Sequence, residues 1–249
     1  MASDPETLPW EAEVLRFSAF PPPSVAFEIA PLWERLMGTP PEEVQERPQQ
    51  GLRNEFSAFG EQHLFLTQQL GRFDIIFGVT PDKAAASNDM VSLGPCERAA
   101  SSHLGVVKKW LKIAPSLGRV AYAPILLCRV ATQEAGYEIL QKLLPKLPIE
   151  PTHSRNLLWQ INRPVRSAVI EDLTINRLAR WSLFRRETVQ VIPERTGMIS
   201  GLGVASFAVR LELDIYTEPF IPIPAESSEL LYNEISEHAA QLIKHGDVP

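Results

Sequence analysis

The sequence predicts an α+β fold, with antiparallel sheets and helices packed on one side of them. Two periodicities carry the prediction. Phe207, Val209, Leu211, Leu213 and Ile215 alternate with Ala208, Arg210, Glu212, Asp214 and Tyr216, the period-2 pattern of a half-buried strand. Leu231, Ile235, His238, Ala239 and Leu242 recur at helical spacing, the pattern of a helix that buries one stripe. A third observation is the punctuation by proline, with 22 residues clustered at 21–23, 40–41, 145–151 and 219–224. Proline interrupts both ladders and helices, so these clusters mark joints.

The elements follow in order. Val14–Phe20 reads as a strand, and Pro31 as the first residue of a helix carrying Leu32, Trp33 and Leu36 and closed by Gly38. Residues 52–59 and 63–79 are extended, and the turn Phe59-Gly60-Glu61 pairs them antiparallel. From Pro95, Leu104, Val107 and Leu111 form a helical face that leaves out Lys108, Lys109 and Lys112. A strand over 119–131 precedes a helix capped by Thr132, carrying Tyr137, Leu140 and Leu144 and stopped by Pro145. Strand, helix, two strands, helix, strand is a ferredoxin-like order for this first half.

The Pro-rich stretch 145–151 divides the chain into an N-terminal α+β half, 1–147, and a strand-rich half, 148–249, that ends in a helix. In the second half Leu157, Trp159 and Ile161 alternate with polar neighbours except Leu158. The segment INRLARWSLFRRETVQVI reads as one long strand in preference to a helix followed by a strand. The final helix is capped by Ser227 or Ser228 and ends at Lys244, His245 and Gly246.

The segments EVLRFSAF, PLWERLMG, GLRNEFSAF, HLFLTQQLGRFDIIFGVTP and RLELDIYTE followed by SSELLYNEISEHAAQLI together resemble the sporadically distributed bacterial proteins of about this length whose function is uncharacterised. The resemblance is one of element order across most of the chain, and it brings no catalytic residues. Patchy occurrence implies an accessory gene, of the kind exchanged among bacteria with mobile elements or phage defence.

Composition excludes several classes. With 249 residues, 45% hydrophobic and 22% charged, the chain buries a sizeable core and is neither disordered nor fibrous. The uncharged run Val120–Cys128 is too short for a membrane span and holds Pro124. The first thirteen residues carry four acids and no Lys or Arg, so no secretory leader is expected and the location is expected to be cytoplasmic. Cys96 and Cys128 are then expected as free thiols.

No chemical motif stands out. His63, His103, His153, His238 and His245 are scattered singly, without metal-ligand spacing. Gly197, Gly201 and Gly203 lead into a strand rather than a helix, so they read as a hairpin connection and not a phosphate loop. Cys96 near a helix start, with His103 seven residues on, is a weak nucleophile candidate, because two helical turns separate them by about 10 Å. Asp74 and Asp214 are acids within apolar strands, an acid/base pair only if one cleft holds both. No catalytic residue, metal or cofactor is assigned.

Charge is segregated. Residues 101–200 hold 15 Lys and Arg against 7 Asp and Glu, a net of +8, while the remainder of the chain is −14. Acidic and basic segments therefore either pair with one another or leave a basic face for an anionic partner. Arg163, Arg166, Arg177, Arg180, Arg185 and Arg186, interleaved with Trp159, Trp181 and Phe184, are the candidate binding set. Such a set suits nucleic acid, by phosphate contact and base stacking, or an acidic protein. The expected function is a non-enzymatic interaction protein, an accessory or sensor subunit with a protein partner. Nucleic-acid binding through the arginines and an enzyme without a recognisable motif are the alternatives.

Overall fold

The computed structural model describes residues 8–22, 25–80, 90–187, 191–194, 197–200, 205–219 and 221–247. In chain order the elements are β1 (Glu11–Phe20), α1 (Trp33–Met37), β2 (Glu43–Arg47), β3 (Leu52–Phe59), β4 (Gln62–Gln69) and β5 (Arg72–Gly78). Next come α2 (Cys96–Leu111), β6 (Arg119–Tyr122), β7 (Ile125–Val130), α3 (Gln133–Leu143), β8 (Leu158–Asn162) and β9 (Val165–Arg166). The chain continues with β10 (Thr174–Glu187), β11 (Val191–Glu194), β12 (Gly197–Ser200), β13 (Ala205–Thr217) and α4 (Ser228–His245).

The α+β expectation holds: eleven strands form a single antiparallel sheet in the order β2-β3-β4-β5-β1-β6-β13-β10-β8. The short strand β7 also lies between β1 and β13, and β9 also pairs with β10. The two halves of the chain share this sheet rather than carrying one each, because β13 pairs with both β6 and β7. β11 and β12 form a separate hairpin.

Alternation explains the layering. Leu15, Phe17 and Ala19 of β1, Phe73, Ile75 and Phe77 of β5, and Val209, Leu211, Leu213 and Ile215 of β13 all point to one face and are buried. That face receives α2, α3 and α4: Trp110 of α2 stacks on Phe73 with centroids 4.5 Å apart, and Tyr232 of α4 meets Phe17 edge-on at 5.0 Å. Each such side chain contributes roughly 1.5–3 kcal/mol on full burial. Gly136 of α3 marks a close approach, since an ideal Cβ there would lie 2.3 Å from Leu183 Cδ1 on β10.

Several expectations are refined. The extended run 63–79 folds back at Leu70-Gly71, giving β4 and β5. The predicted strand 119–131 breaks at Ala123-Pro124 into β6 and β7, as expected where proline lacks a ladder donor. The first half departs from a ferredoxin-like sheet, because β2–β5 form a four-stranded meander and α1 spans only five residues. Helix α1 also begins at Trp33 rather than Pro31. Thr132 caps α3 as expected, accepting from the Ala135 N–H at 3.2 Å. Neither Ser227 nor Ser228 caps α4 in that way; the Ser228 hydroxyl instead donates to the Ala225 carbonyl at 2.7 Å. The segment 175–192, read as one long strand, is strand over Thr174–Glu187 and again over Val191–Glu194, where it belongs to the separate hairpin, and 188–190 lie outside the described residues. Gly197 opens β12, whereas Gly201 and Gly203 lie outside the described residues.

The end of α4 is locked to the end of α3. Gly246 has φ 70° and ψ −150°, and the Asp247 N–H donates to the Leu143 carbonyl at 2.9 Å. The Asp247 carboxylate receives Arg163 Nε and Nη2 at 2.5 and 2.8 Å. An ideal Cβ on Gly246 would lie 2.2 Å from the Leu143 carbonyl oxygen. Gly246→Ala is therefore expected to destabilise the fold by about 2 kcal/mol or more, since backbone strain and a backbone clash add. A thermal melt should show the midpoint falling by roughly 5 °C; an unchanged midpoint would mean that the lock carries no stability.

Candidate functional site

The sheet face opposite α2, α3 and α4 carries no helix among the described residues. Register places on it Arg72 and Asp74 of β5, Arg16, Ser18 and Phe20 of β1, Arg119 of β6, and Asp214 and Tyr216 of β13. Arg180 and Phe184 of β10 and Leu158 of β8 extend the same face. One corner is covered, where Met90 packs with Leu127 and Ala208.

The centre of this face is a polar cluster walled by its own aromatics. The Ser18 hydroxyl donates to Asp74 at 2.5 Å, and Arg72 Nε donates to the same carboxylate at 2.9 Å. Ser18 and Asp74 are buried although no helix covers them. The Arg119 guanidinium lies over the Tyr216 ring at 4.4 Å and the Phe20 ring at 5.3 Å, which is favourable cation–π geometry. Its Nε has no hydrogen-bond partner. Burial pushes the Asp214 carboxyl up, and Arg119, Arg16 and Arg72 act against that shift. Arg16 is exposed, with no carboxylate within 4.0 Å among the described residues. Asp74 and Asp214 do lie on one face, but β1 and β6 intervene. Three strand spacings separate them by about 14 Å, beyond the reach of paired carboxylates that share one bond.

The residues proposed from sequence are dispersed by the same alternation. Trp181 is wholly buried among the core residues on the helix side. Arg163 binds Asp247, and Arg177 donates to the Arg163 carbonyl at 2.9 Å. Arg166 donates to the Asp172 carbonyl at 2.7 Å and so closes a turn. Arg180 is on the bare face, 3.5 Å from Glu212. Arg185 pairs with Glu187 and lies over the Phe207 ring at 5.8 Å. Arg186, the next residue in β10, faces the opposite way from Arg185. These seven do not form one surface. Arg119 and Tyr216, which sequence reasoning missed, meet on the bare face instead, and Arg16, also missed, lies on that face four residues along β1 from Phe20, the register partner of Arg119. Their signal was the polar register of β1, β6 and β13, readable only with the strand order.

Charge segregation resolves in part into pairing between the flanks and the middle of the chain. Arg129 holds Glu11 at 3.0 Å, Lys108 holds Glu229 at 3.4 Å, Arg163 holds Asp247 and Arg180 holds Glu212. Each joins a residue between 101 and 200 to one outside that span. Arg210 binds Glu13 at 3.0 Å across 197 residues.

The thiols and the core histidine are inert by environment. Cys96 and Cys128 are free and buried. Burial first and Glu97 second push the Cys96 thiol up to about 11, which opposes the nucleophile reading of Cys96. His103 is fully buried between sheet and helices. Its Nε2 lies 3.1 Å from the Ile75 carbonyl, which only accepts, so Nε2 carries the proton and Nδ1 accepts from the Tyr232 hydroxyl at 3.4 Å. His238, expected on the apolar stripe, is half-buried with neither ring nitrogen hydrogen-bonded. Among the described residues no group of three His, Cys, Asp or Glu is placed to hold a metal ion, and no helix is long and apolar enough to cross a membrane.

Comparison with family models, curated proteins and solved structures returned no match.

Burial lowers the His103 pKa from 6.5 to about 4. Between those values the unfolded chain binds a proton that the folded chain refuses, so stability should fall as pH drops through this window, by up to about 3 kcal/mol. His103→Gln should remove that part of the dependence. Denaturant titrations of both proteins at pH 7 and pH 4 measure it, and parallel losses in the two would refute the assignment.

Proposed function

We propose that this chain is a non-enzymatic interaction protein, an accessory or sensor subunit that meets an acidic protein partner through the bare face of its sheet. The observation that carries the reading is the pair of arginines at the centre of that face. Among the described residues Arg16 is exposed with no carboxylate within 4.0 Å, and Arg119 is held rigid by Phe20 and Tyr216 with its Nε unpaired, while the buried Asp214 carboxylate acts on both from beyond that distance. A stacked, pre-positioned guanidinium loses little entropy on meeting a carboxylate. Leu158, 58% exposed, and Phe184, 37% exposed, give the same face apolar anchors.

Protein is favoured over nucleic acid because so many arginines of this face already have acids. Arg72, Arg129, Arg180 and Arg210 are tied to Asp74, Glu11, Glu212 and Glu13. A chain with net charge −6 also repels an extended polyanion. The bacterial setting, with a role in phage defence, rests on the resemblance in element order. The free, buried cysteines fit a reducing cytoplasm.

The test is recovery of the tagged, full-length chain from its native host in 0.15 M salt, with the Arg16→Glu/Leu158→Asp double variant in parallel. The wild type should bring down a defined protein with an acidic surface, and the variant should lose it by about ten-fold or more at an unchanged melting temperature. Micromolar binding of generic single-stranded DNA or RNA by the wild type, with a log–log salt slope of about −0.7 per contact and loss in the variant, would replace the protein reading. Full retention of the protein by the variant would remove the bare face from the interaction.

A further inference from the structure

On the helix side a cavity of about 1110 Å³ opens between α2, α3 and α4, with Tyr122 and Tyr232 in its lining. It exists because the N-terminal half of α2 and the C-terminal half of α4 face each other with small side chains. Ala100 and Ser101 on α2, and Ser236, Ala239 and Ala240 on α4, leave the space between the helices unfilled. Trp10, Leu104, Ile139, Leu143 and Ile243 make its walls. The volume lies just above the usual range for small-molecule sites, roughly 300–1,000 Å³.

Two features point to what belongs there. Lys142 and Lys244 both line the cavity, and the bond from the Asp247 N–H to the Leu143 carbonyl brings the helix ends that bear them together. Neither lysine has a carboxylate within 4.0 Å among the described residues, while Lys108 and the paired arginines do. His245 adds an imidazole at the same end, and Glu97, in the first turn of α2, is the one carboxylate of the lining among the described residues. The second feature is the apolar wall: Trp10, Leu104, Ile139, Leu143 and Ile243 offer the body of an occupant a surface on which it leaves water.

We propose that this cavity binds an amphipathic anion, with a hydrocarbon body between α2, α3 and α4 and an anionic head between Lys142 and Lys244. Apolar walls with a basic end match a body that leaves water and a head that needs charge-assisted hydrogen bonds. The inference goes beyond the docking role of the opposite face and stands without it. Carboxylate and phosphate heads share the chemistry, and the probes below separate them.

The experiment uses the full-length protein with dodecanoate, dodecyl phosphate and 1-dodecanol, each below its aggregation concentration, read by calorimetry and by thermal melts. At least one of the two anions should bind more tightly than the alcohol and raise the melting temperature. The better-bound anion identifies the head group. Lys142→Glu/Lys244→Glu should weaken that anion by about ten-fold or more and leave dodecanol within about two-fold. Lys109→Glu/Lys112→Glu, on α2 and at its C-terminal end outside the cavity, should change nothing. Ala100→Phe, which fills the space, should abolish binding of all three. Absence of binding by both anions, an alcohol bound as tightly as either, or full anion affinity in the Lys142→Glu/Lys244→Glu variant would each overturn the proposal.

Discussion

Both halves of the chain hang from β13, which is hydrogen-bonded on both edges. On one side it pairs with β10 over thirteen consecutive residues, from Ile175 opposite Thr217 to Glu187 opposite Ala205. On the other it pairs with β7 from Phe207 to Glu212 and with β6 at Ile215 and Tyr216. A strand gripped this way cannot slip by one residue without turning Val209, Leu211, Leu213 and Ile215 from the core to the bare face. Register in β13 therefore fixes which side of the sheet the helices cover. The same register fixes which arginines face away from them.

That constraint also accounts for the electrostatics. Once β13 lies between β7 and β10, its outward residues Arg210 and Glu212 stand beside Glu13 and Arg180. Acidic termini and a basic middle become neighbours across strand boundaries, which is why a segregated sequence gives a mixed surface. Surface pairs of this kind contribute little each, about 0–1 kcal/mol, so they specify register and mask charge more than they stabilise. What they leave outside ion pairs among the described residues is informative: Arg16 and Arg119, near the buried Asp214, on one face, and Lys142 and Lys244 on the other.

Local pattern made much of this fold legible. The alternation of 207–216, the Thr132 cap and the apolar stripes of α3 and α4 each identify an element and its buried side, because period and capping are properties of a short window. The splits at Leu70-Gly71 and Ala123-Pro124 were harder. At Ala123-Pro124 apolar residues continue through the break and pairing with β1 and β13 shows that the chain turns, whereas at Leu70-Gly71 the extended pattern resumes at once and the β4–β5 pairing reveals the turn. The candidate site was less legible still. The arginines chosen from sequence are contiguous in the chain, and strand alternation sends neighbours such as Arg185 and Arg186 to opposite faces. Arg16, Arg119 and Tyr216 come from three strands separated in sequence by about a hundred residues at each step, and no local signal joins them.

The two faces then differ in what they ask of a partner. The bare face is broad and already has much of its charge satisfied, so it offers shape and a few rigid anchors, which suits another folded surface. The helix side is concave, because small residues on α2 and α4 leave the space beside the Tyr122 and Tyr232 rings unfilled. Its basic end stays closed through a lock that the chain maintains at some conformational expense. Gly246 adopts a backbone conformation reserved for glycine, and Arg163 is spent on Asp247 rather than on solvent. Conformational entropy opposes ordering the residues after α4 this tightly without return. The return is geometric: the lock sets the ends of α3 and α4 against each other, so that Lys142 and Lys244 border one cavity instead of two separate stretches of surface.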